Sequence, residues 1–94
     1  MFSITVNDRG IIVLTGRLDA AQTDRAREVF SDVKSSAVVD FKDLDYISSA
    51  GLGVLLATQQ RLKKEGNAIK LVNMNRMVRD VFKIARFDLI FEIE

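Results

Sequence analysis

The 94-residue sequence contains no cysteine, no histidine and no proline. Without cysteine there is no disulfide framework and no thiol chemistry. Without histidine the usual general base, the commonest metal ligand and any phosphohistidine relay are excluded; carboxylates alone are left for metal binding. Without proline there is no proline-rich linker. An excess of charge of one sign is lacking too. The 14 lysines and arginines against 13 acidic residues leave a net charge of +1, too little for a global field that attracts nucleic acid or an anionic membrane. No apolar run approaches the ~20 residues that span a bilayer. The segment Met1–Arg9 has neither the basic start nor the long apolar stretch of a signal peptide. These absences predict a soluble, cytoplasmic protein with no cofactor and no nucleic-acid or membrane partner.

A hydrophobic fraction of 48% is enough for one real core, and the length fits a single domain over residues 1–94. A chain of this size buries roughly 60–65% of its unfolded surface, so its stability is expected to be modest. Ile4 and Val6 alternate with polar residues as in a half-buried strand. Asn7-Asp8-Arg9-Gly10 supplies turn chemistry, and Ile11–Thr15 reads as a strand covered on both faces that completes a hairpin. Gly16-Arg17-Leu18-Asp19 reads as a turn. Asp19 is a good helix N-cap, with Gln22 placed for a capping box. Ala26, Val29, Phe30 and Val33 then recur at helical spacing, in a helix expected to end near Ser35-Ser36.

Ala37–Phe41 is the next strand, with Lys42–Asp45 as the connection out of it. A second helix is expected from about Ala50 to Lys64 and a strand over Ile69–Val72. Asn73 or Asn75 is placed to cap a third helix with Met77, Val78, Val81, Phe82 and Ala85 on its apolar face. Leu89–Ile93 forms the last strand. Such alternation predicts an α/β domain: a mixed, mostly parallel sheet of about five strands with right-handed βα crossovers. In such sheets sites collect beyond the carboxyl ends of the strands. Both the Gly16–Asp19 segment and the segment around Ser49 fall at that end.

The chain is organised around Tyr46-Ile47-Ser48-Ser49-Ala50-Gly51-Leu52-Gly53. The start of a helix exposes unpaired N–H groups and partial positive charge. A hydroxyl there is a natural cap, and a phosphate there meets several donors at once. Gly51 and Gly53 in the first turn would offer bare backbone for close approach by another chain or a phosphate. On local chemistry alone the two serines read as a capping signal and nothing more. The stretch lacks the Gly-Lys-Ser/Thr ending of a phosphate-binding loop, and no glycine stands two residues before Ser49 as in a nucleophile elbow. A small enzyme with Ser49 as nucleophile would have no histidine base. Asp40, Asp43 and Asp45 read as solvated turn residues rather than a metal site. The basic stripe Arg76, Arg79, Lys83 and Arg86 reads as solvated surface, with a docking patch for an acidic partner as the alternative.

The run Tyr46–Leu56 resembles the signature of the STAS domain, the fold of bacterial anti-sigma factor antagonists. Gly16-Arg17-Leu18-Asp19 is similar to that family's Gly-x-Leu-Asp segment, and Val38–Phe41, Gly66 and Val78–Phe82 fall in family order. The resemblance implies a STAS-like fold and a non-enzymatic, partner-switching module. The unphosphorylated form would bind an anti-sigma factor serine kinase, phosphorylation would release it, and a PP2C-type serine phosphatase would restore binding. Alignment on Gly51-Leu52-Gly53 makes Ser49 the acceptor. Asp19 and Ser48–Gly53 then form the partner surface. Ser48 stands where many members have Asp, which makes it the second-choice acceptor. Arg86 stands where a glycine often follows the last helix. The alternative within the fold is an accessory subunit of a transport ATPase or larger signalling assembly, without phosphorylation.

Overall fold

The computed structural model describes all residues from Met1 to Glu94. Strand β1 (Phe2–Val6) and strand β2 (Ile12–Leu18) form the antiparallel hairpin. The carboxamide of Asn7 closes their turn by accepting from the N–H groups of Arg9 and Ile11. Helix α1 (Thr23–Phe30), strand β3 (Ala37–Ile47), helix α2 (Ser49–Lys63), strand β4 (Ile69–Val72), helix α3 (Arg76–Ile84) and strand β5 (Glu92–Ile93) follow. The strands lie in sequence order. Every pair after the hairpin is parallel.

Twenty buried apolar residues form one cluster, with Ile12, Leu14, Val39, Phe41, Ile69 and Leu71 supplied by the sheet. The alternate residues Val13, Thr15, Val38, Asp40, Lys70 and Val72 are only half-buried. The sheet is therefore covered on one face. Ile11–Thr15 is not a strand covered on both, because strands in sequence order joined by crossovers of one hand place their helices on the same side.

Three boundaries in the first half of the chain differ from the sequence expectation. First, β2 runs on through Gly16 and Arg17 to Leu18, so the Gly16–Asp19 segment is strand rather than turn. Gly16 has φ +86°, and this left-handed residue is accommodated inside the strand. Second, β3 continues past Phe41 to Ile47, absorbing Lys42–Asp45. The register against β2 slips between Val13 and Thr15 and again between Gly16 and Arg17, so β3 carries one extra residue at each place. Each bulge shifts the inward face by one residue, which is why the buried positions are Val39, Phe41, Leu44 and Ile47. Asp40 steadies the first bulge. Its carboxylate accepts from the N–H of Lys42 at 2.9 Å and from Asn73 Nδ2 at 3.1 Å. Third, α1 stops at Phe30, not near Ser35. The Arg61 guanidinium reaches across from α2 and donates to the carbonyls of Phe30 and Val33 at 2.8 and 2.7 Å, so the open carbonyls find partners without further helix.

At the far edge, Phe82 makes edge-to-face contacts with Phe41, Phe87 and Phe91, at centroid distances of 5.9, 6.2 and 5.9 Å. Seating Phe87 and Phe91 in that cluster bends the expected last strand into a 3-10 turn at Phe87–Leu89, leaving β5 two residues. Asn75 caps α3 by accepting from the N–H of Val78 at 2.8 Å. Asn73 takes the left-handed conformation instead. Met77 is 66% exposed. It lies about 100° around the helix from Val78, outside the buried arc. Arg86 closes α3 with φ +64°. A left-handed conformation costs an L-residue about 1–2 kcal/mol, a cost that glycine at this position would not incur.

Candidate functional site

The site lies where β2 and β3 end and α2 begins. The N–H of Ser48 donates to the carbonyl of Leu18 at 2.9 Å, fastening the end of β3 to the end of β2. Ser48 is still extended, with φ −92° and ψ 171°, and its Oγ accepts from the N–H of Gly51 at 3.2 Å. Its carbonyl accepts from the N–H of Leu52 at 2.9 Å, the first helical hydrogen bond. Ser48 is thus the N-cap, and its hydroxyl is engaged by the fold.

Ser49 is the first residue of α2. It is exposed and takes no part in the cap. Ala50 beside it is also exposed. The first turn of α2 contains no acidic residue, so the positive end of its dipole has no fixed counter-charge within the helix. Asp19 directly follows the residue bonded to Ser48. It is half-buried, and its carboxylate accepts from the N–H of Ala21 at 3.1 Å. The helix it starts is a 3-10 turn, Ala20–Gln22, rather than α1 itself, and Gln22 makes no reciprocal capping bond. That turn packs against α2, so Asp19 and Ser49 share one end of the domain.

The two glycines have different tasks. A Cβ on Gly51 would stand 2.9 Å from Leu18 Cγ, 2.9 Å from Ile47 Cγ1 and 3.0 Å from the Leu18 carbonyl oxygen. Gly51 is buried, as is Leu52. These two residues seat the first turn of α2 on the strand ends and present no surface to a partner. Around Gly53 a Cβ would meet nothing within 4 Å, and the residue is exposed. Only Gly53 offers the bare backbone expected of both. The apolar first half of α2 is covered by the domain's own core through Leu52, Val54 and Leu55.

Gly51→Ala should therefore destabilise the domain. Overpacking costs about 1–3 kcal/mol, and the helix-propensity gain of up to about 1 kcal/mol offsets only part of it. We expect a fall in melting temperature of about 4–8 °C, read by thermal denaturation. An unchanged or higher melting temperature would show that Leu18 and Ile47 yield freely.

Asp40, Asp43 and Asp45 do not converge, and no three carboxylates are placed to hold a metal ion. No helix is long and apolar enough to cross a membrane. One feature of the site was not anticipated: the Arg17 guanidinium lies over the Tyr46 ring, 4.3 Å from its centroid. Its signal is the pairing of Arg17 with Tyr46 across β2 and β3, which becomes visible only once β3 is known to extend that far.

The family model described as the STAS domain matches residues 2–94. The chain belongs to the STAS domain family. It is 36% identical over 74 residues to BtrV of Bordetella bronchiseptica, assigned by its name to the anti-sigma factor antagonists. That match covers 79% of this STAS domain and 58% of BtrV, so the chain spans little more than half of that relative's length. Among solved structures it is similar to the anti-sigma factor antagonist SpoIIAA in its unphosphorylated form, with a TM-score of 0.76 at 21% identity, covering 100% of this chain and 88% of that one. It is also similar to the phosphorylated form of SpoIIAA, a Bacillus cell fate determinant, with a TM-score of 0.70 at 20% identity over 100% of this chain and 91% of that one. The shared fold includes the whole of the STAS sheet and its three crossover helices.

Proposed function

We propose that this STAS domain is an anti-sigma factor antagonist switched by phosphorylation of Ser49. The unphosphorylated domain binds an anti-sigma factor that is also a serine kinase. Phosphorylation by that kinase releases it, and a PP2C-type serine phosphatase returns it to the binding form. The observation that carries this reading is the division of labour between adjacent serines. The hydroxyl of Ser48 is committed to the cap at 3.2 Å, while Ser49 stands exposed in a helix start free of acidic residues. Modification of Ser49 thus leaves the cap intact and places the phosphate by open N–H groups. The partner surface is Ser49, Ala50 and Gly53 with Asp19 beside them. Ser48, Gly51 and Leu52 support it from beneath. The domain acts as a binding module rather than an enzyme.

The test is mass spectrometry of the domain after incubation with ATP and the kinase recovered with it from its host. The expected result is one phosphate, on Ser49. Phosphate on Ser48 or elsewhere, with Ser49 unmodified, would defeat the assignment. Recovery of a transport ATPase without any serine kinase would defeat the function.

A further inference from the structure

We propose that the Arg17–Tyr46 stack is a partner-reading element at the rim of the switch surface, and that its ligand is a carboxylate on the anti-sigma factor. This rests on the function proposed above and adds the chemistry by which one partner is chosen. Arg17 and Tyr46 are register partners at the ends of β2 and β3. The next residues along, Leu18 and Ile47, are also paired, and Leu18 accepts from the N–H of Ser48. The stack is therefore built on the same strand ends that hold the cap and Ser49.

The state of the guanidinium points to its ligand. Arg17 is exposed, and its guanidinium carbon lies over the aromatic ring, 4.3 Å from the centroid. Stacking orients the plane through cation–π attraction but uses none of the five N–H donors at its edge. No carboxylate of the domain is within ion-pair distance of it. The ion pairs present are Arg27 with Asp24 and Lys70 with Glu92 and Glu94. Arg61, by contrast, directs its donors at the carbonyls of α1. Arg17 is thus a planar cation resting on a ring, with a fork of N–H donors that no group of the domain engages and that fits a carboxylate in bidentate geometry. Arg and Tyr are also among the residue types that dominate binding hot spots. Because Arg17 projects from an exposed strand end, its charge can be changed without disturbing the core.

The experiment compares wild type, Arg17→Gln, Arg17→Glu and Arg17→Lys for binding to the kinase recovered in the phosphorylation assay. Calorimetry is run with the unphosphorylated domain at two salt concentrations, and melting temperatures are recorded alongside. Arg17→Gln should weaken binding about tenfold and Arg17→Glu further, with reduced salt dependence and melting temperatures within 2–3 °C of wild type. Arg17→Lys keeps the charge but loses the fork, and should fall between wild type and Arg17→Gln. Equal or tighter binding by Arg17→Gln would overturn the proposal. So would a variant that leaves this affinity unchanged but alters only the phosphorylated domain, since Arg17 would then serve the phosphate on Ser49. Failure of the wild type itself to bind any anti-sigma factor is a different result and removes the proposed function instead.

Discussion

Gly16→Ala is expected to be among the most damaging single-methyl additions to this domain, lowering its stability by about 2–5 kcal/mol. Two effects combine. With φ at +86°, an L-residue incurs about 1–2 kcal/mol of backbone strain. A Cβ there would also stand 1.8 Å from the carbonyl oxygen of Met1 and 2.8 Å from its carbonyl carbon. Those atoms are main chain, so no rotamer change relieves the overlap. β1 must move away from β2, in the range of about 1–3 kcal/mol known for overpacking. The same Met1 oxygen accepts from the N–H of Arg17 at 3.0 Å, and moving it breaks that bond. A domain of this length holds about 5–14 kcal/mol in total, so the loss is a large fraction. The melting temperature should fall by about 10 °C or more, with faster hydrogen exchange at the Arg17 amide as the local mark. A melting temperature within 3 °C of wild type would refute this account.

Gly16 also illustrates what was and was not legible from the residues. The order of strands and helices was readable because each element carries its own period: two in Ile4–Val6, close to four in Ala26–Val33. The cap at the start of α2 was readable too, since Ser and Gly at that spacing have few other uses. The far half of β3 was not. Its two bulges break the alternation at Lys42-Asp43 and again at Asp45-Tyr46, so inward positions fall three apart from Phe41 to Leu44 and from Leu44 to Ile47. Charged residues between them then look like a loop. Without the far half of β3, Gly16–Asp19 has no strand to pair with and reads as a turn, and the Arg17–Tyr46 stack leaves no sign. Gly51 reads as a surface residue in sequence because its contact with Leu18, 33 positions away, leaves no local trace. Side-chain hydrogen bonds across elements are silent for the same reason. The nearly fully buried Gln59 (2% exposed) links the N–H of Ile69 to the carbonyl of Ile90, yet in sequence it is one polar residue in a helix.

Phosphorylation of Ser49 should weaken binding of the anti-sigma factor by more than a hundredfold while leaving the fold as stable as before. The phosphate adds about 1.5–2 negative charges at an exposed residue. Like charges brought together across an interface cost several kcal/mol, and about 3 kcal/mol already exceeds a hundredfold at 1.4 kcal/mol per tenfold. Within the domain the same charge is favourable by about 0.3–1 kcal/mol, because it sits at the positive end of a helix that has no acidic residue in its first turn. Ser49→Asp carries one charge and should show a smaller effect in the same direction, about tenfold or more, with a melting temperature equal to or slightly above wild type. Ser48→Ala should behave in the opposite way. It removes the 3.2 Å cap bond to Gly51 and lowers stability by about 1 kcal/mol, while the residues facing the partner are unchanged. Calorimetric binding and thermal denaturation of the two variants separate switch from cap. If Ser49→Asp unfolds the domain, Ser49 is structural; if it binds as tightly as wild type, the switch must be sought elsewhere. If the two serines respond as described, one hydroxyl maintains the helix while its neighbour is free to change charge, and a partner can be released without any rearrangement of the fold.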